Sequence, residues 1–130
     1  MFDTEEMNRQ SAEADARPSE KDAEAQPNLR LQLMSGVILD LGGRSSVSIG
    51  RRDPQNEPPD LDLGPHGGAE HGVSRQHAII RWQDEAYTIE DLKAINNTLL
   101  NGFRLFPGQQ YPLKDGDQVE FGTLVVKVLL

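Results

Sequence analysis

From residue 29 onward the chain is written in short apolar runs, broken by turn-forming residues at intervals of about 8 to 12, and this punctuation leaves no room for long helices. Leu29, Leu31 and Leu33, then Val37, Leu39 and Leu41, alternate with other residues around Ser35-Gly36, which reads as strand, turn, strand. Gly42-Gly43 punctuates the next segment, SVSI (46–49), which runs into Gly50-Arg51-Arg52. LDL (61–63), AIIRW (78–82), AYTIED (86–91) and TLLN (98–101) follow, with Asn101-Gly102 as a hairpin signal before Phe103. QVEF (118–121) and LVVKVL (124–129), joined at Gly122-Thr123, complete about ten strands. An all-β sandwich or barrel is expected. Aromatics make up only 5% of the chain, so Leu, Val and Ile build the core, with Trp82, Phe103, Phe106 and Phe121 as its large fillers.

Residues 1–28 read differently, being rich in Glu, Asp, Ala, Ser and Gln and nearly free of large apolar side chains after Met7. Such a segment cannot bury enough surface to offset its ordering entropy. A transient helix fits between Arg9 and Ala16, and Pro18 and Pro27 interrupt any extension. The expected organisation is a disordered acidic tail, 1–28, and one domain, 29–130. The tail holds 8 acidic and 3 basic side chains, so most of the net charge of −8 belongs to it. The remainder is mildly acidic with no Lys/Arg stripe, which argues against a nucleic-acid partner. Cysteine is absent, removing disulfides and thiolate chemistry. Asp3, Glu5 and Glu6 occupy the N-terminus without a basic or apolar leader region, and no apolar run approaches ~18 residues, so a cytoplasmic protein with no membrane partner is expected.

The stretch from Asp53 to Gly72 contains Pro54, Pro58, Pro59 and Pro65 with several glycines, and a long loop in a small domain is usually functional. It is flanked by Gly50-Arg51 and by Ser74-Arg75-Gln76-His77. An arginine at a strand-to-loop junction is held by a rigid scaffold and presents a planar fork to phosphate oxygens, to which a serine hydroxyl also donates. Arg52 reads as a surface neighbour, and Asp60, Asp62 and Glu70 as solvated. Trp82 is expected in the core, with Arg81 facing water.

In order and spacing, Gly50-Arg51, Ser74-x-x-His77, Asp91-Leu92-x-x-x-Asn96-x-Thr98-x-x-Asn101-Gly102 and Leu113-x-Asp115-Gly116-Asp117-x-Val119-x-Phe121-Gly122 resemble the forkhead-associated (FHA) domain family over about residues 29 to 130. The resemblance implies a β-sandwich of about eleven strands in two sheets and recognition of phosphothreonine on a partner protein. Arg51 would then contact the phosphate, Ser74 would hydrogen-bond one of its oxygens, Arg75 would add a second contact, and Asn96 would hold the peptide main chain. Gly50 would let the backbone turn, and His77 would pack beneath the loops and tie them together. Such a module needs no cofactor and is not an enzyme. The other reading kept open is an FHA-like domain that docks a partner without phosphate.

Three positions depart from the family pattern. Asn97 replaces a glycine that needs positive φ, and asparagine is the best ordinary substitute there. Ala94 and Ile95 replace two hydroxyl residues, the second of which donates to the phosphate in many members. Ile95 cannot, and is expected to pack against the neighbouring loop with affinity reduced by about one hydrogen bond, about 1 kcal/mol. A hydrolase-like set of Ser74, His77 and Asp91 lacks a nucleophile elbow and oxyanion loop. His66, His71 and His77 lack a recurring metal-ligand spacing, so no metal is expected. Thr4, between Asp3 and Glu5, is the tail's only threonine, and once phosphorylated it could occupy the domain's own site.

Overall fold

The computed structural model describes residues 26–130. Thr4, the Arg9–Ala16 segment and the first 25 positions of the expected tail lie outside them. Gln26 and Pro27 are held against the domain: Gln26 Nε2 donates to the Arg44 carbonyl oxygen at 2.8 Å, and the Tyr87 hydroxyl donates to the Pro27 carbonyl oxygen at 2.6 Å.

Eleven strands follow: β1 (Leu29–Leu33), β2 (Ile38–Gly42), β3 (Ser46–Gly50), β4 (Leu61–Asp62), β5 (Ala78–Gln83), β6 (Ala86–Asp91), β7 (Thr98–Leu100), β8 (Phe103–Arg104), β9 (Gln110–Leu113), β10 (Gln118–Phe121) and β11 (Leu124–Leu129). One sheet has the order β2-β1-β11-β10-β7-β8 and the other β4-β3-β5-β6-β9. The β3–β4 pair is parallel, while the other pairings are antiparallel. The helical element of the described residues is a single 3-10 turn, Gly64–His66, and no helix there is long and apolar enough to cross a membrane.

Period-two alternation puts Leu29, Leu31 and Leu33 of β1, Val119 and Phe121 of β10 and Leu124, Val126 and Val128 of β11 on the inner face of the first sheet. Val47 and Ile49 of β3, Ala78 and Ile80 of β5, and Tyr87 and Ile89 of β6 face them from the second. Trp82 packs at the margin of this core, 4.8 Å from the Tyr87 ring between centroids. Arg81 is only partly exposed, and its Nη1 pairs with Glu90 at 2.6 Å.

Two expectations fail. Phe103 and Phe106 are 76% and 67% exposed: Phe103 lies on β8, a two-residue strand at the edge of its sheet, and Phe106 lies in the connection from β8 to β9. Leu63, within the long loop, and Val73, just after it, are buried in the core. The strand β9 was hidden in the sequence by Pro112. Proline is tolerated there because β9 is the edge of its sheet, with one side of its backbone unpaired.

Candidate functional site

The C-terminal ends of β3 and β6 and the starts of β5 and β7 lie at one end of the sandwich, with the Gly122-Thr123 turn between β10 and β11. The segment 72–75 is the hub that links the loops there. The Arg51 backbone N–H donates to the Arg75 carbonyl oxygen at 3.2 Å, and Arg51 Nε donates to the Val73 carbonyl oxygen. Nε is thereby committed, and the two terminal nitrogens of the guanidinium keep their donors for a ligand.

Gly50 is required by close approach, not by an unusual φ. A Cβ at this position would overlap the Arg75 carbonyl oxygen, so only glycine lets the 74–75 backbone lie against β3. Gly68 plays a comparable part for Arg51. A Cβ on it would lie 2.7 Å from the Leu63 carbonyl oxygen and 3.1 Å from Arg51 Cγ. The bare Gly68 backbone therefore forms one wall of the channel in which the Arg51 stem lies.

Ser74 and His77 interlock. The Ser74 N–H donates to His77 Nδ1 at 3.0 Å, and His77 Nε2 meets the Asn97 carbonyl oxygen at 2.8 Å. A backbone N–H can only donate and a carbonyl can only accept, so the ring is the neutral Nε2–H tautomer. His77 is fully buried, edge-on to Phe121, and burial holds its pKa below the ordinary 6.5. Ser74 Oγ accepts from the Ile95 N–H at 3.1 Å, which leaves the hydroxyl proton free to donate outward.

The β6–β7 loop is shaped by Asp91. Its buried carboxylate accepts from the Thr98 hydroxyl at 2.6 Å and from the N–H groups of Lys93 and Ala94 at 3.0 and 3.3 Å. Asn97 then adopts φ 69°, and its carbonyl oxygen accepts from the Gly122 N–H at 3.1 Å as well as from His77. Asn96 is exposed, and its Nδ2 donates to the Gly72 carbonyl oxygen at 3.0 Å. That bond orients the amide and leaves Oδ1 to accept from a peptide N–H. With both nitrogens of His77 engaged by backbone and Asp91 held by Thr98, the Ser74, His77 and Asp91 side chains form no proton relay. Among the described residues no group of three His, Cys, Asp or Glu side chains could hold a metal ion.

Ile95 does not pack against the neighbouring loop. Its backbone is held by Ser74, while its side chain projects outward and is 86% exposed. Asp60 and Asp62 are not simply solvated either. Asp60 accepts from the Ser48 N–H and hydroxyl at 3.0 and 3.2 Å, and Asp62 accepts from the N–H groups of Arg52 and Gly64 at 3.0 and 2.8 Å, so both brace the long loop.

The residues singled out in the sequence thus fall into two connected groups. Arg51, Ser74 and Asn96 are joined through segment 72–75, while Arg51 and Arg75 also line an open depression of about 290 Å³ with Asp53, Asn56, Glu57 and Gln76. Asp53 had no signal in the sequence beyond its place in the loop. Its carboxylate lies 3.2 Å from Arg75 Nη1 and is held below the ordinary carboxylate pKa by the Gln55 N–H first, then by the Asn56 amide, Arg75 and Arg51.

These features define a two-sheet β-sandwich with polar and cationic groups gathered on the loops of one end. The FHA domain profile matches residues 47–122, more than half of the chain, and the chain belongs to the FHA domain family. It is 38% identical over 78 residues to protein FraH of Nostoc sp., covering 60% of this chain and 26% of FraH. It is 35% identical over 95 residues to the FHA domain-containing protein FhaA of Mycobacterium tuberculosis, covering 72% of this chain and 15% of FhaA. The chain therefore spans about a quarter or less of either relative. A solved FHA domain, studied for phosphothreonine-dependent FHA domain interactions, superposes with a TM-score of 0.62 at 29% identity, covering 80% of this chain and 97% of that one.

Proposed function

We propose that this domain is a phosphopeptide-binding module that reads phosphothreonine on substrates of a Ser/Thr kinase, acting as a signalling adaptor in the cytoplasm without catalysis, cofactor or nucleic acid. The observation that carries the reading is the posture of Arg51. Its Nε is committed to the Val73 carbonyl oxygen, and its terminal nitrogens keep their donors for a ligand beside the open depression that Arg51 and Arg75 line. Membership of the FHA family and similarity to a domain studied for phosphothreonine-dependent interactions support the same chemistry.

In this reading Arg51 pairs with the phosphate, the Ser74 hydroxyl donates to one of its oxygens, Arg75 adds a second cation, and Asn96 Oδ1 accepts from the peptide main chain. Charged hydrogen bonds contribute about 1.5 to 3 kcal/mol each, so three of them with main-chain contacts give about −8 kcal/mol after association costs, roughly micromolar binding. Loss of the phosphate removes most of this, which makes the interaction a switch.

The second reading, docking without phosphate, is favoured by Ile95, an exposed apolar side chain whose backbone is held beside the Ser74 hydroxyl. Titration with paired threonine and phosphothreonine peptide libraries, repeated with Arg51→Ala, separates the two. Binding confined to the phosphorylated library and lost in Arg51→Ala supports phosphate reading. Equal binding of both libraries overturns it.

A further inference from the structure

The loop after Arg51 places a fixed anion beside the cations of the site. Asp53 precedes Pro54, and its Oδ1 accepts from the Gln55 N–H at 3.1 Å while its Oδ2 accepts from Asn56 Nδ2 at 2.6 Å. The Asn56 N–H also donates to the Asp53 carbonyl oxygen at 3.1 Å. The carboxylate is therefore positioned by its own turn, whatever Arg75 does. Arg75 comes to it: the guanidinium is 64% exposed, on a long side chain, and Nη1 lies 3.2 Å from Oδ2.

The depression that holds this pair contains two arginines and two carboxylates, Arg51, Arg75, Asp53 and Glu57, and is formally neutral before anything binds. A phosphate dianion arriving there meets one cation already occupied and a carboxylate that cannot turn away. We propose that Asp53 is an intramolecular competitor for Arg75, an autoinhibitory contact that holds the second cation off the phosphate and sets the affinity of the site below what its arginines would allow. The inference rests on the phosphopeptide reading of the same site. Arg75 is open to water although the Asp53 side chain is only 15% exposed, and an ion pair solvated on its cationic side is weak and easily exchanged, so this device tunes affinity without blocking binding.

The test is a double-mutant cycle between Asp53→Asn and Arg75→Ala, read with the degenerate phosphothreonine library and its unphosphorylated counterpart. Asp53→Asn keeps the size of the side chain and an oxygen to accept from the Gln55 N–H, and a turned-over Asn56 amide can accept from the new Nδ2, so the turn is retained. The expected result is about two- to fivefold tighter binding of the phosphorylated library in Asp53→Asn, with most of that gain absent in the Arg75→Ala background. Weaker binding in Asp53→Asn overturns the proposal and makes Asp53 a brace that positions Arg75, and unchanged binding overturns it by showing that Asp53 does not compete for Arg75. An equal gain with and without Arg75 also overturns it, because Asp53 would then act by direct repulsion. A wild-type domain that binds both libraries equally defeats the phosphate reading itself, a result distinct from these.

Discussion

His77 donates from Nε2 to the carbonyl oxygen of Asn97 at 2.8 Å, and through that bond the loop carrying Asn96 is tied to the start of β5, which begins at Ala78. Its other nitrogen accepts from the Ser74 N–H, so the imidazole performs this task only while neutral. Burial lowers its pKa below 6.5, and as pH falls the unfolded chain takes the proton first. The contribution of His77 to stability is thus complete above pH 6.5, declines as pH falls below that value, and is lost once pH has passed the lowered folded pKa. Thermal unfolding between about pH 8 and about pH 5 should show this decline, and His77→Gln, although less stable throughout, should show a flatter profile over the same window.

Gly50→Ala tests the close approach of β3 to segment 74–75. The new methyl group meets a backbone carbonyl, which cannot swing aside as a side chain tip does. We expect a loss of about 2 to 4 kcal/mol in denaturant-measured stability, together with displacement of Arg51. Unchanged stability would mean that the Arg75 carbonyl is not where the structure places it.

Much of the architecture was legible because a strand buried on one face advertises itself at period two, as in Leu29, Leu31 and Leu33 or Val126 and Val128. The Asn101-Gly102 signal was equally local, and both residues take positive φ in the β7–β8 hairpin. What stayed hidden depends on tertiary position. Pro112 is compatible with β9 only because that strand lies at an edge, and Phe103 is exposed only because β8 does. At the site, the Gly50 motif was visible, but its cause, a carbonyl from Arg75 far along the chain, was not. The Asp53–Arg75 pair is of the same kind, since nothing in either segment alone announces the other.

The β5–β6 hairpin offers a stability gain remote from the site. Gln83 pairs with Ala86, so Asp84 and Glu85 form a two-residue turn, with φ of 53° and 64°. Glutamate is a poor occupant of the left-handed region, whereas Asp-Gly is favoured in this turn. Glu85→Gly should raise stability by about 0.5 to 1 kcal/mol and leave peptide binding unchanged. At the functional end, Asn97→Ala should lower stability by about 1 kcal/mol, because alanine tolerates φ 69° less well than asparagine. Chemical denaturation of the two variants checks both signs.

Ile95→Thr addresses the departure that most affects the ligand. The side chain is 86% exposed, so the exchange removes little buried surface and should leave stability within about 0.5 kcal/mol of the parent. Its backbone N–H already donates to Ser74 Oγ, which fixes the residue beside the hydroxyl assigned to the phosphate. A threonine hydroxyl there adds one donor to a charged acceptor, for an expected tightening of phosphothreonine peptide binding of about 1 kcal/mol, roughly fivefold, with no gain for the unphosphorylated peptide. Isothermal titration of both peptides against both proteins reads the difference. A gain for both peptide forms would mean that position 95 contacts the peptide and not its phosphate; a loss for both would mean that the exposed isoleucine is itself an apolar anchor, and would favour docking without phosphate.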